Sequence, residues 1–301
     1  MTRAGFVTVL GRPNVGKSTL VNRLAGTKVS ITAASANTTR HAVRAIITAD
    51  DVQVIVVDTP GLHRPRTTLG GRLNAVARGA LDGVDGVVAV VDASAPLGPG
   101  DRAAIETMLR CGHDGGGPSL FLAVNKVDRP GREAVAAQLF AASRLVEELA
   151  HSLDCDALVE RVEYVAVSAK TGEGISTLLE LLQSVMPESP FLYSSDEVSD
   201  VTEATWVAEL VREQLVRKTF DELPHSIHCR VVAFEWPHVT VEILVERESQ
   251  KGMVIGRGGQ LLKDVGTAAR RQLPEGMYLE LRVRVEPSWQ RRDDALDRFG
   301  Y

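Results

Sequence analysis

The chain has 301 residues, 44% hydrophobic and 24% charged, with a net charge of −5, which excludes a polycation, so any nucleic-acid contact has to come from a local patch. That length exceeds what a single core usually organises and predicts two domains. The three isolated cysteines, Cys111, Cys155 and Cys229, exclude a disulfide scaffold, the apolar runs at 52–57 and 86–91 are too short to span a bilayer, and no leader precedes Phe6, so a cytoplasmic protein is expected.

An apolar stretch at 6–10 predicts a strand and 18–25 predicts a helix. Between them lies Gly11-Arg-Pro-Asn-Val-Gly-Lys-Ser18, which fits the phosphate-loop pattern Gly-x-x-x-x-Gly-Lys-Ser in the strand–loop–helix context it requires. Gly11 and Gly16 permit a tight turn that exposes backbone N–H groups, and the helix N-terminus adds partial positive charge. Lys17 is placed to reach the β- and γ-phosphates and Ser18 to ligate Mg²⁺. Arg12, Pro13, Asn14, Val15 and Thr19 belong to the same nucleotide loop.

Residues 27–41 are rich in Ser, Thr, Ala and Asn, show no period, and contain Asn37-Thr-Thr-Arg40. Stretches at 43–49 and 52–58 predict the two strands of a hairpin, the second nearly all apolar and so covered on both faces. It ends in Asp58-Thr-Pro-Gly61. Alone this is a common turn. After a phosphate loop and a buried strand, Asp58 is placed to hold Mg²⁺ through its water shell and the Gly61 N–H to meet a γ-phosphate, with Thr59 and Pro60 in the same turn. Helices at 69–81, 102–109, 133–150 and 175–186 alternate with strands at 84–92, 119–125 and 162–167, and 112–118 reads as a loose loop with Gly115-Gly-Gly117. The alternation predicts an α/β domain, a mostly parallel sheet with helices on both faces. Its motifs fall at strand C-termini, where such sheets bind ligands.

The strand at 119–125 ends in Asn125-Lys-Val-Asp128, which selects the base. A carboxylate at Asp128 accepts from guanine's N1–H and 2-amino group. Adenine has neither donor and would leave that carboxylate unpaired. Lys126 is placed to cover the ring, and Ser168-Ala-Lys170 to bring the Ala169 N–H to the base oxygen. Five such segments in order read as a site for GTP and GDP, with Asn125, Lys126, Asp128, Ser168, Ala169 and Lys170 on its base side.

Residues 189–201 mix Pro, Ser and Asp and read as a linker between domains at 1–188 and 202–301. An amphipathic helix follows at 203–220, with Trp206, Val207, Leu210, Val211, Leu215 and Val216 near one face. Alternating strands at 227–234 and 239–245 flank a Trp236-Pro-His turn, and 277–286 adds a third. Between them, Gly256-Arg-Gly-Gly259 sits after an apolar half-turn and before a helix at 260–273. Such a Gly-x-x-Gly loop lets a sugar–phosphate backbone approach main-chain N–H groups, with a cation between the glycines. From 251 to 273 there are five Lys/Arg against one acid. Lys251, Ile255, Gly256, Arg257, Gly258, Gly259, Lys263 and Arg270 are the candidate contacts to single-stranded RNA. His225 and His228 read as surface histidines, Trp206 and Trp289 as core anchors, and Arg291-Arg-Asp-Asp294 as a solvated face.

The first half resembles a small GTP-binding domain of the translation-factor-related class, and the order helix–strand–strand–helix–helix–strand resembles a type II KH domain, an α+β fold. In this order the two are similar to the Era family of bacterial GTPases. The likeness rests on Gly11-Arg-Pro-Asn-Val-Gly-Lys-Ser18, Asn37-Thr-Thr-Arg-His41, Asp58-Thr-Pro-Gly-Leu-His63, Asn125-Lys-Val-Asp128, Ser168-Ala-Lys170, Arg212-Glu213 and Glu222-Leu-Pro224. It implies a P-loop GTPase domain with Mg²⁺, in which the Thr38-Thr39 pair, Thr39 favoured, supplies a metal ligand beside Ser18 and Asp58. Asn14 resembles the asparagine that helps bind K⁺ in some relatives; a plain turn residue is the other reading. Leu62 departs from the Ras pattern, since it cannot orient water as a glutamine would, so catalysis falls to Lys17, Asn14, Thr39 and Gly61. The likeness further implies a monomer that binds the 3′ end of 16S rRNA, acts in 30S ribosomal subunit assembly, and touches the inner face of the membrane weakly. A GTP-gated RNA chaperone with negligible turnover, and a GTPase acting on another RNA, remain as alternatives.

Overall fold

A computed structural model describes residues 1–33, 38–62, 65, 67–112 and 117–301. Asn37, His63 and the first two glycines of Gly115-Gly-Gly117 lie outside the described residues. The chain forms two compact units. One comprises Met1–Ser30, Thr39–Arg64 and Leu73–Asp200; the other comprises Ile31–Thr38, Pro65–Arg72 and Val201–Tyr301.

The elements of the first half are β1 (Arg3–Leu10), α1 (Lys17–Ala25), β2 (Val43–Ala49), β3 (Val52–Asp58), α2 (Thr68–Gly79), β4 (Gly86–Asp92), α3 (Pro99–Gly112), β5 (Ser119–Asn125), α4 (Arg132–Ser152), β6 (Val162–Val167) and α5 (Ile175–Ser184). The six strands run in the order β2-β3-β1-β4-β5-β6. Only the β2–β3 pairing is antiparallel, so the sheet is mostly parallel as expected. Every residue of β3 and of β4 is buried, because helices cover both faces. Strand alternation divides the core. Val88 and Val90 pack with Leu20 and Leu24 of α1 and Leu178 and Leu182 of α5. Val87, Ala89 and Val91 pack with Ile105, Met108 and Leu109 of α3 and Val146 and Leu149 of α4. Each of the Val, Leu, Ile and Met side chains among them contributes roughly 1.5–3 kcal/mol by leaving water.

Gln53, near the start of β3, is polar and fully buried. Its amide nitrogen donates to Thr48 Oγ1 and to the Tyr193 carbonyl, both at 3.0 Å. Its oxygen accepts from the N–H groups of Leu192 at 2.8 Å and Tyr193 at 3.0 Å. The Pro-, Ser- and Asp-rich stretch is thereby docked along the sheet edge. There the Ile46 N–H donates to the Val198 carbonyl at 3.0 Å, and Arg44 pairs with Asp200 at 2.6 Å.

The second unit contains α6 (Glu203–Lys218), α7 (Leu223–Ser226), β7 (His228–Glu235), β8 (His238–Val245), α8 (Glu248–Ile255), α9 (Gln260–Arg270), β9 (Tyr278–Val285) and α10 (Asp293–Arg298). Its sheet runs β7-β8-β9, with β7–β8 antiparallel and β8–β9 parallel. Thr202 caps α6, its hydroxyl accepting from the Thr205 N–H. Val207, Val211 and Leu215 of α6 meet Val239, Val241 and Ile243 of β8 and Val265 and Ala269 of α9 in one core. Trp289 is fully buried and its Nε1 donates to the Ser226 carbonyl at 2.9 Å, a core anchor as expected; Trp206 is half-buried.

Two expectations are corrected. The apolar half-turn before the glycine loop is the complete helix α8. Lys251 and Gly252 interrupt its apolar pattern, and Gly costs a helix about 1 kcal/mol, yet burial of Gln250 and Val254 holds it. His228 is no surface histidine. It is buried, its ring stacks on Phe299 with centroids 4.9 Å apart, and its Nδ1 lies 2.8 Å from the Tyr301 hydroxyl. His225 is exposed. Among the described residues, no helix is long and apolar enough to cross a membrane.

Candidate functional site

β1 ends at Leu10 and α1 begins at Lys17, so the intervening residues form the loop. Gly16, the N-cap, has φ 100°, and a Cβ there would lie 2.4 Å from Asn125 Nδ2. Only glycine satisfies both demands. Lys17 is buried and folds back over the loop, its Nζ donating to the carbonyls of Gly11 at 3.0 Å and Arg12 at 3.2 Å. Burial lowers its pKa from 10.5 to about 8, with the Asp58 carboxylate opposing that fall and Arg12 adding to it. Arg12 is held by Asp101, its Nε 3.0 Å from both carboxylate oxygens. Asn14 is exposed with φ 66°, a left-handed conformation that asparagine adopts more readily than most residues.

Three side chains expected to ligate metal converge. Ser18 Oγ and Thr39 Oγ1 are 2.8 Å apart, and Thr39 Oγ1 donates to Asp58 Oδ2 at 3.1 Å. Ser30 Oγ donates to the same carboxylate oxygen at 2.6 Å. Asp58 is fully buried, and among the described residues its Oδ1 has no hydrogen-bond partner. Burial pushes its pKa up, against the Ser30 hydrogen bond and the Lys17 charge. A buried carboxylate oxygen without a partner is costly. An all-oxygen donor set around it suits a hard cation, so these residues fit Mg²⁺.

Asn125 braces the base side. It is buried at the end of β5, where its Nδ2 donates to the Val15 carbonyl at 2.8 Å. Its Oδ1 accepts from the N–H groups of Lys126 at 2.8 Å and Ala169 at 3.0 Å. Lys126 Nζ donates to the Asn14 carbonyl and to Asp92 Oδ2, both at 2.6 Å. Although burial raises the pKa of Asp92, its hydrogen bonds from Lys126 and Ser94 prevail and hold it below the usual carboxylate range. Ser168 Oγ donates to Asp128 Oδ1 at 2.6 Å, and this bond lowers the pKa of an exposed carboxyl.

The expected residues therefore gather at the carboxyl ends of β1, β3, β5 and β6. Gly61 packs so close to Pro13 that a Cβ would lie 2.9 Å from its nitrogen. Pro60 is buried beside it, Thr19 is half-buried on α1, and Lys170 is exposed. Thr59 turns away, its hydroxyl donating to the Val9 carbonyl at 2.7 Å. Sequence reasoning missed Ser30, Asp92, Asp101 and Arg23, whose Nε donates to the Ala169 carbonyl at 3.0 Å. Asp92 carried a usable signal, a polar residue ending an apolar strand, as Asp58 and Asn125 do. Ser30 carried none.

The glycine loop joins α8 to α9. Gly256 has φ 73°, and a Cβ there would lie 2.7 Å from Leu261 Cβ; Gly258 and Gly259 have φ 61° and 78°. α9 starts at Gln260, so its positive end faces the loop. Arg257, Gly258, Lys263 and Arg270 are exposed, while Lys251, Ile255, Gly256 and Gly259 are half-buried. Lys263 and Arg270 are two turns apart and share one face of α9.

Comparison with known proteins agrees with this geometry. Residues 6–126 match the family described as 50S ribosome-binding GTPase, and residues 222–290 match the KH domain family. The chain is 42% identical over 309 residues to GTPase Era of Mycobacterium tuberculosis, covering 99% of this chain and 98% of that protein. To GTPase Era of Mycobacterium avium it is 41% identical over 310 residues, covering 99% of each. A crystal structure of Era in complex with MgGDPNP and nucleotides 1506–1542 of 16S ribosomal RNA superposes with a TM-score of 0.87 at 31% identity, covering 100% of this chain and 99% of that one. An Aquifex aeolicus Era variant bound to GDP·AlF4⁻ gives 0.88 at 31% identity, with the same coverage. The fold and site define a P-loop GTPase, which hydrolyses GTP to GDP and phosphate, joined to a KH domain. The chain belongs to the Era family of GTPases.

Proposed function

We propose that GTP bound at the carboxyl edge of the six-stranded sheet governs the grip of the Gly256-Arg-Gly-Gly259 loop on the 3′ end of 16S rRNA, in the service of 30S subunit assembly. The carrying observation is the convergence of Ser18, Thr39 and Asp58 beside Lys17. The relative crystallised with MgGDPNP and 16S nucleotides supports the choice of RNA. The functional division is a GTP-binding domain at 1–188, a connecting segment at 189–201 and an RNA-binding domain at 202–301.

In this reading Lys17 exchanges two neutral carbonyls for phosphate oxygens, a stronger charge-assisted pairing. The loop N–H groups wrap the phosphates. Ser18, Thr39 and Asp58 would hold Mg²⁺, which would supply charge neutralisation for the phosphates. Asp128, kept ionised by Ser168, accepts from guanine N1–H and the 2-amino group, while Asn125 fixes the spacing between base and phosphate loops. Leu62 is buried and apolar, so the attacking water takes its orientation from Thr39 and the Gly61 backbone. Asn14 would help hold K⁺, which would supply further charge beside the phosphates; equal turnover in K⁺ and Na⁺ ends that part. Arg257, Lys263 and Arg270 meet RNA phosphates as the loop N–H groups approach the backbone. The protein acts as a monomer, and weak contact with the inner membrane face, carried by family likeness alone, is tested by vesicle co-sedimentation.

The deciding experiment crosslinks RNA at Arg257 in cells and sequences what is attached. Reads mapping to the 16S 3′ end support the assignment. Reads concentrated on another RNA end it.

A further inference from the structure

Two charged residues in the middle of α6 belong neither to the nucleotide loops nor to the glycine clamp. Arg212 is 1% exposed and Glu213 is 0% exposed. Burying charge is costly unless each charged group is paired and hydrogen-bonded, so such residues mark a task beyond packing. Their partners define the task. Arg212 pairs with Glu209, its Nε at 2.7 Å and Nη2 at 2.6 Å from the two carboxylate oxygens, and Nη2 also donates to the Thr38 carbonyl. Glu213 Oε1 accepts from the Thr32 N–H at 2.9 Å and from Arg217 at 3.0 Å. Arg217 Nη2 donates in turn to the Thr32 carbonyl at 3.0 Å. Glu213 and Arg217 thus hold both backbone polar groups of Thr32, as a neighbouring strand would, while Arg212 holds the Thr38 carbonyl. Thr32, Thr38 and α6 belong to the same compact unit.

The next residue along the chain is Thr39, whose hydroxyl lies against Ser18 and Asp58. We propose that Arg212 and Glu213, with Arg217, are positioning residues for GTP hydrolysis, holding Thr32 and Thr38 so that Thr39 meets its metal-binding neighbours. This rests on the assignment of Thr39 as a metal ligand. The same contacts give nucleotide state a physical route to RNA. α6 packs through Val207, Val211 and Leu215 in one core with Val265 and Ala269 of α9, the helix that the glycine loop opens into. Since linkage is reciprocal, RNA that biases α9 biases the hold on Thr38.

The test uses the full chain carrying Glu213→Ala, Glu213→Gln or Arg217→Ala, with Thr39→Ala in parallel. Single-turnover hydrolysis of GTP, GDP affinity, and affinity for a 16S 3′-end oligonucleotide in GDP are measured. Glu213→Ala and Arg217→Ala slow hydrolysis by about tenfold, while both affinities stay within about twofold of the unsubstituted protein. Glu213→Gln keeps an oxygen for the Thr32 N–H and recovers most of the rate. Arg217 is 46% exposed, so its removal reads out even where Glu213→Ala fails to fold. Hydrolysis within about twofold of the unsubstituted rate in Arg217→Ala overturns the proposal, as does a parallel fall in GDP and RNA affinity, which marks a structural defect. Unchanged turnover in Thr39→Ala overturns the ligand assignment beneath it and so distinguishes the two failures.

Discussion

Lys17 should make nucleotide binding a proton-coupled event around pH 8. Its pKa falls from 10.5 to about 8 because burial disfavours the ammonium. GTP phosphates favour the ammonium, so the bound lysine stays charged well above that value. The sign follows from the two states. Below pH about 8 free and bound lysine are both protonated and affinity is flat; above it the free form has lost a proton that binding must restore. Between pH 7 and 9 the charged fraction of the free lysine falls from about nine-tenths to about one-tenth. GTP affinity should therefore drop about tenfold across that interval, or about 1.4 kcal/mol. Calorimetry in two buffers of different ionisation enthalpy should find uptake of about half a proton per GTP at pH 8, after correction for free GTP's own titration. Affinity that is level from pH 7 to 9, or no proton uptake at pH 8, would refute the argument.

Gly16→Ala places a methyl 2.4 Å from Asn125 Nδ2 at φ 100°, and should lose about 1–3 kcal/mol of stability together with nucleotide binding, read by thermal unfolding and fluorescent-GDP titration. Asn125→Ala strips the Val15 carbonyl and the Lys126 and Ala169 N–H groups of a buried partner. It should weaken GDP binding by about 2–4 kcal/mol; a loss under about 0.5 kcal/mol would deny the brace. Gly258→Asp sits at φ 61° with open space around its Cβ, so the fold should survive while the added charge removes RNA binding; loss of nucleotide affinity as well would contradict the clamp. Trp289→Phe leaves the Ser226 carbonyl without its buried donor and should cost the second unit about 1–3 kcal/mol in denaturant unfolding.

Periodicity was most informative where both faces of a strand are covered. The bounds of β3 and β5 follow directly from their apolar runs, because a strand buried nearly throughout tolerates little else. Strand order was not legible, since the pairing of β1 with both β3 and β4 joins residues distant in sequence. The full extent of α8, a helix that the likeness to a KH domain implied, was obscured at Lys251 and Gly252, whose local preferences tertiary packing overrides. His228 looked like an ordinary polar residue at a strand entry because the rings that enclose it, Trp289, Phe299 and Tyr301, arrive from the end of the chain. In the site, Lys17, Ser18 and Asp58 were legible from motif spacing. Ser30 was not, because a serine in a polar loop has no pattern until the fold sets it 2.6 Å from Asp58. Arg212 and Glu213 entered the sequence reading only through the family likeness, because adjacent charges on an amphipathic helix carry no sign of the burial that the fold imposes.

The central proposal is that the γ-phosphate sets the strength of the RNA grip. Anisotropy titration of a labelled 16S 3′-end oligonucleotide, with the full-length protein in Mg·GDPNP and again in Mg·GDP, tests it directly. Binding should be about tenfold tighter with GDPNP. Equal affinity in the two states would contradict it.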